Sequence, residues 1–322
     1  MNKKGKKSKI DEFVEMGVNA IIRPPRSEYD PNSLPLKVFI PGYGNVDRKP
    51  ISFKNSRGLK IVGSFYAPSF QIPEMSCVVY LHGNASSQRE GTFLVPVFVP
   101  SGVGVLCFDF AGCGASEGEY ISLGLFEKDD VACAINFVRE QFGVGKVAIW
   151  GRSMGAATAF YAMSEDPTIA GAVADSSFSS LPILIGELGK QYNVPTVVSK
   201  SAVWYVSGKI EKLAKFDIRK VEPIEAAKTC FTPVLIIHGL DDNFINFHHS
   251  QDIYDKYAGD DKDILLVEGD HNSERPMEVK VQAIMFLANI LDCPIVMDEI
   301  PMLLQQSGRH HFSSFEDMLC QM

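Results

Sequence analysis

"KVAIWGRSMGAA", residues 146–157, carries an apolar run into a serine ringed by glycines. Val147–Ile149 reads as a short buried strand, and Ala156–Ala162 reads as the start of a helix. Between them stands G-x-S-x-G, the spacing of a sharp strand-to-helix turn that lifts one hydroxyl above a sheet edge. Gly151 and Gly155 suit a strained serine backbone with neighbouring chain close on both sides. A Gly/Ser turn without chemistry is the competing reading of the pentapeptide alone. Ser153 is a candidate nucleophile, so the rest of the chain must supply a base, an orienting acid and an oxyanion site.

Outward from this stretch, strand and helix signals alternate. "CVVYLHG", "VGVLCFDF", "KVAIW", "IAGAVADSS", "TPVLIIHG" and "DILLVEG" read as strands. Helical segments separate them, among them the amphipathic "LGLFEKDDVACAINFVREQFG". Runs such as Val234–Ile237 are continuously apolar, as expected of strands covered on both faces. The expectation is one α/β domain with a mostly parallel sheet and helices on both sides. "PISFKNSRGLKIVGSFYAP" precedes it as a hairpin. Residues 1–49 are expected to be an irregular N-terminal extension, 50–292 the α/β domain and 293–322 a C-terminal tail, either a surface helix or a flexible segment. Residues 182–222 offer helical signals without a strand and are the candidate for a small helical cap; a longer crossover packed on the sheet is the alternative. Trp204 and Val206 within it are candidates for an apolar substrate pocket.

Reactive groups of such a sheet gather beyond the carboxyl ends of its strands. "LIIHGLDDNFI" places Asp241-Asp242 after one end, and "LLVEGDHNS" places Asp270-His271 after another. Ser, Asp, His is the chain order of a triad on this scaffold. His271 suits the base because imidazole titrates near neutrality, and Asp242 would hold its tautomer and stabilise the imidazolium. After Leu81-His82-Gly83 the chain turns at Asn84-Ala85, where the amide of Asn84 with that of Met154 would make a two-donor oxyanion hole.

Six segments in this order, "LHGNASS", "FDFAGCGASEG", "GRSMGA", "DSSFSS", "HGLDDNFI" and "GDHN", resemble the α/β-hydrolases. The resemblance is to small serine hydrolases akin to serine-aminopeptidase-like and prolyl-oligopeptidase-like catalytic domains, over roughly residues 50–292. It implies an eight-stranded sheet, acyl transfer without a cofactor or metal, a cap after "ADSSFSS", and Asp242 rather than Asp241 as the acid through H-G-x-x-D. The chain also resembles protein depalmitoylases of the superfamily, though its N-terminus lacks their cysteine cluster.

Other features are read structurally. Gly112, Gly114 and Gly118 imitate a dinucleotide fingerprint but are spaced one residue too far, with Asp109 tying the loop down. His82 and His238 read as posts for their turns. His248-His249 would diverge on a helix, which argues against a metal. Asp175 is a second, less suitable candidate acid. The net charge of −8 argues against a nucleic-acid partner. Lysines 3, 4, 6, 7 and 9 form a basic arm, either a solvated tail or a weak contact with an acidic membrane surface. No segment reads as a signal peptide or a transmembrane span, and seven cysteines without paired spacing suggest reduced thiols in the cytoplasm. The expectation is a serine hydrolase acting on an ester, thioester or amide of a small-molecule, acylated or peptide substrate. A peptidase of the aminopeptidase type and a non-catalytic receptor are the alternatives.

Overall fold

Six strands run parallel because each is joined to the next by a crossover and is apolar on both faces. They are β4 (Cys77–Leu81), β5 (Gly104–Asp109), β6 (Val147–Arg152), β7 (Ile169–Asp175), β8 (Val234–Gly239) and β9 (Lys262–Val267). The computed structural model describes residues 9–70, 72–191 and 196–306; lysines 3, 4, 6 and 7 and the end of the tail lie outside them. Three antiparallel strands, β1 (Lys37–Ile40), β2 (Gly44–Lys54) and β3 (Lys60–Tyr66), extend the sheet, with β3 also antiparallel to β5. The order is β1-β2-β3-β5-β4-β6-β7-β8-β9.

The sheet therefore has nine strands where eight were expected. The addition is β1, which lies inside the segment expected to be irregular. It is four residues long between Pro35 and Pro41, too short to display a period, yet it pairs Val38 with Val46 and buries Ile40. The same segment holds helix α1 (Lys9–Ile22). Charges at Asp11, Glu12 and Glu15 mask its pattern, but Val18 and Ile22, one turn apart, are fully buried.

The strands divide their side chains between two cores. In β4, Cys77, Val79 and Leu81 join one cluster, whereas Val78 and Tyr80 join the other. Full burial of one such aliphatic side chain stabilises by about 1.5–3 kcal/mol. Helices α2 (Val95–Phe98), α3 (Glu127–Phe142) and α4 (Met154–Glu165) cover the sheet centre. After β7 come α5 (Leu181–Gln191) and α6 (Thr196–Ala214), with α7 (Pro223–Ala227) leading into β8. Leu184, Ile210 and Ala214 anchor α5 and α6 in the first core, and α1 lies against α6. Helices α8 (His248–Lys256) and α9 (Met277–Ile290) flank β9. The tail begins as α10 (Ile300–Gln306), whose Ile300 and Leu304 are buried in the second core.

Candidate active site

Ser153 stands between β6 and α4 at φ +52° and ψ −115°, a conformation that costs an L-residue on the order of 1–3 kcal/mol. Its surroundings impose that geometry. The Ser153 N–H donates to the Asp175 carbonyl at 2.8 Å. A Cβ on Gly155 would lie 2.0 Å from the Leu81 carbonyl oxygen, and one on Gly151 2.3 Å from the Gly155 carbonyl oxygen. Both glycines of the motif are thus required by close backbone.

Three strand ends converge here. Nδ1 of His271 donates to Oδ2 of Asp242 at 2.6 Å, and its Nε2 lies 3.1 Å from Oγ of Ser153. An ionised carboxylate can only accept, so the proton sits on Nδ1 and the Nε2 lone pair faces the serine hydroxyl. Asp242 is fixed by its other oxygen, which accepts from the amides of Phe244 (3.0 Å) and Ile245 (2.7 Å). Burial pushes its pKa up, but hydrogen bonds from His238 and His271 outweigh this and hold it well below the usual carboxylate range. Burial also lowers the His271 pKa, more than the Asp242 bond and charge raise it, and Arg152 and His238 lower it further. His271 therefore rests neutral. Asp241 is exposed and accepts from the Gly269 amide at 3.3 Å.

A sequence profile described as the alpha/beta hydrolase fold matches residues 77–193. The Pyrococcus furiosus esterase Pf2001 superposes with a TM-score of 0.62, covering 84% of this chain and 97% of its own at 20% identity. An acetyl xylan esterase from Paenibacillus sp. R4 gives 0.63, covering 89% and 96% at 16% identity. The chain has the α/β-hydrolase fold. Among sequences, the Uncharacterized protein YfhR of Salmonella typhi is 25% identical over 273 residues, 80% of this chain and 81% of that protein. The Lysophosphatidylserine lipase ABHD12 of Danio rerio is 28% identical over 203 residues, 60% of this chain and 50% of that protein. The profile match and the structural neighbours agree on the fold.

Within this α/β-hydrolase fold the other histidines among the described residues are occupied. His82 bonds the Gly83 carbonyl through Nδ1 (2.7 Å) and accepts from the Phe110 amide through Nε2 (3.1 Å). His238 bonds Ser250 Oγ (2.6 Å) and the Ile245 carbonyl (2.7 Å), and it reaches Asp242 at 3.2 Å. Both brace their turns, and His238 also steadies the acid. Asp175 faces Arg275, whose Nε lies 3.0 and 3.2 Å from its two oxygens. An aspartate so paired is not the partner of His271.

His248 and His249 do not diverge as expected. Their rings stack at 4.4 Å, and both reach the Glu187 carboxylate on α5, at 2.9 and 3.0 Å. These three groups could approach a metal ion, but the His249 Nδ1 lone pair already accepts from the Ser179 amide at 3.2 Å. Its proton is therefore on Nε2, donated to Glu187, so no lone pair is left to ligate. The trio ties α5 to α8 by hydrogen bonds.

Trp204, a candidate for an apolar pocket, is 70% exposed on α6. Val206 is half-buried and packs on the first core. The sequence reading also missed Glu90 and Arg152. Arg152 lies inside the serine motif, and its Nη2 donates to the His271 carbonyl at 2.8 Å while Nη1 is 3.4 Å from Oε1 of Glu90. Residues 62 positions apart leave no local signal of a pair. A buried acid in the turn after "LHGNASS", beside a basic residue in the serine motif, is what could have suggested it.

Asn84 begins the turn after β4, and Ala85 follows it at φ +58°. The Asn84 side-chain oxygen is buried and meets no hydrogen-bond partner among the described residues. Met154 opens α4, where the leading N–H groups have no acceptor within the helix.

Proposed function

We propose that the protein is a serine hydrolase that cleaves carboxylic esters through an acyl-enzyme on Ser153. The observation that carries this is the relay of distances Ser153 Oγ, 3.1 Å, His271 Nε2, then His271 Nδ1, 2.6 Å, Asp242 Oδ2. As Oγ attacks the ester carbonyl, its proton passes to Nε2 of His271, and Asp242 stabilises the imidazolium. The carbonyl oxygen becomes an oxyanion facing the amides of Asn84 and Met154. Its collapse breaks the ester bond, and the imidazolium gives its proton to the departing alkoxide. Water then attacks the acyl group, losing a proton to His271, and Ser153 is regenerated with release of the acid.

Several further observations support parts of this reading. The neighbours in fold are esterases, which favours an ester over a peptide bond. Helices α5 and α6, with α1 against α6, are proposed as the cover over the site and as what selects the acyl group. The six described cysteines carry free thiols, which fits a reducing cytoplasm. Among the described residues no helix is long and apolar enough to cross a membrane.

The test is hydrolysis of p-nitrophenyl esters of increasing chain length, with EDTA present, by wild type and Ser153→Ala. The expected result is turnover by wild type alone, with covalent labelling of Ser153 by a fluorophosphonate. Turnover by Ser153→Ala, or a wild type silent towards every ester and the probe, overturns the proposal.

A further inference from the structure

We propose that Glu90 and Arg152 are positioning residues that hold the turn carrying the oxyanion donors and the loop carrying the base in one register. This rests on the serine-hydrolase reading above. Arg152 is the last residue of β6 and the neighbour of Ser153, and its side chain reaches two other loops. One guanidinium nitrogen, Nη2, donates to the main-chain carbonyl of His271 itself at 2.8 Å and lies 3.3 Å from Oδ1 of Asn272. The other, Nη1, faces Oε1 of Glu90. Glu90 in turn accepts from the Gly83 amide through Oε2 at 3.0 Å and from the Tyr80 hydroxyl through Oε1 at 3.0 Å. Gly83 directly precedes Asn84.

Two structural groups that must agree within a fraction of an ångström, the oxyanion donors and the imidazole, are thereby fastened to one buried ion pair. Burial makes the fastening directional. Glu90 is 3% exposed, and among the described residues Arg152 and the two donors compensate its charge. A planar guanidinium has separate nitrogens for Glu90 and His271, whereas an ammonium is a single point with no fixed fork. The turn also packs closely on the guanidinium: a Cβ on Gly83 would lie 3.3 Å from Nη1. Arg152 acts on the base electrically as well. His271 is faced by Asp242, Ser153, His238, Arg152 and the Phe244 ring, and of these Arg152 and His238 depress its affinity for a proton.

A structural role alone would cost stability and leave chemistry intact. Positioning instead lowers kcat at nearly constant KM and moves the pH profile. The variants are Arg152→Met, Arg152→Lys and the double Glu90→Gln/Arg152→Met, which removes both charges and so leaves neither buried alone. They are measured beside Ser153→Ala on the full chain with a p-nitrophenyl ester. The double variant is expected to fold, to lose about 10²-fold in kcat through misplacement, and to show its acid limb at higher pH than wild type. Arg152→Lys should keep the limb near wild type and recover part of kcat. A folded double variant with wild-type kcat and an unmoved limb overturns the positioning role, while a silent Ser153→Ala in the same assay keeps the serine reading. Activity surviving in Ser153→Ala would overturn that reading and this proposal with it.

Discussion

Asp242 and Asp175 stand at the carboxyl ends of neighbouring parallel strands, both buried and both with pKa values drawn below the ordinary carboxylate range. Their partners differ. Asp175 faces Arg275, a cation that cannot give up its proton, so the pair is fixed in one charge state. Asp242 faces a neutral imidazole whose other nitrogen meets a serine hydroxyl. The same carboxylate chemistry makes a structural ion pair in one loop and an arrangement able to pass a proton in the next. Neither burial nor pKa tells the two apart; the partner does.

Substitution by asparagine should split the comparison most sharply. Asp242→Asn keeps an oxygen for the Phe244 and Ile245 amides but offers His271 the wrong tautomer, with an expected loss of about 10⁴-fold in kcat. The protein should remain folded by circular dichroism. Asp175→Asn strands the Arg275 charge in a buried site and should cost about 3–5 kcal/mol in urea unfolding. Equal loss of stability in both variants would erase the contrast.

The pH profile sharpens the same point. His271 is held below the ordinary imidazole value, and only its neutral form accepts the serine proton. On lowering the pH, kcat/KM should therefore reach half its maximum below about 6.5 and be level above it. A midpoint above that value would mean that the Asp242 charge outweighs burial. The smallest effect concerns Asp241, whose exposed side chain accepts from the Gly269 amide. Asp241→Asn should stay within about 0.5 kcal/mol of wild-type stability, with kcat nearly unchanged. A large loss of kcat there would transfer the acid's role by one residue.

The sequence exposed those parts of the molecule where local chemistry is forced. Gly151 and Gly155 are dictated by backbone contacts within a few residues of Ser153 or across one strand, so the elbow could be read directly. The apolar runs of β4 and β8 announced a sheet covered twice, because each residue reaches one of two cores. What escaped depends on tertiary partners. The four residues of β1 are strand only because β2 offers a ladder, and α1 is a helix whose few buried residues are hidden among acids. Trp204 was judged by its size, yet exposure depends on how α6 is rotated against the core. His248 and His249 were judged by helical spacing alone, whereas Glu187, sixty-one residues before His248, draws both rings together.

The direction in which α4 leaves the elbow has an electrostatic result. The twelve-residue helix starts at Met154, immediately after Ser153. Its aligned peptide dipoles sum to roughly half a positive charge at that end. Any oxygen that gains negative charge over Ser153 then sits in a field that exists before the reaction begins. Solvent would have to reorient to provide the same field, and the helix does not. The elbow therefore both presents the hydroxyl and aims the helix's positive pole at the space above it.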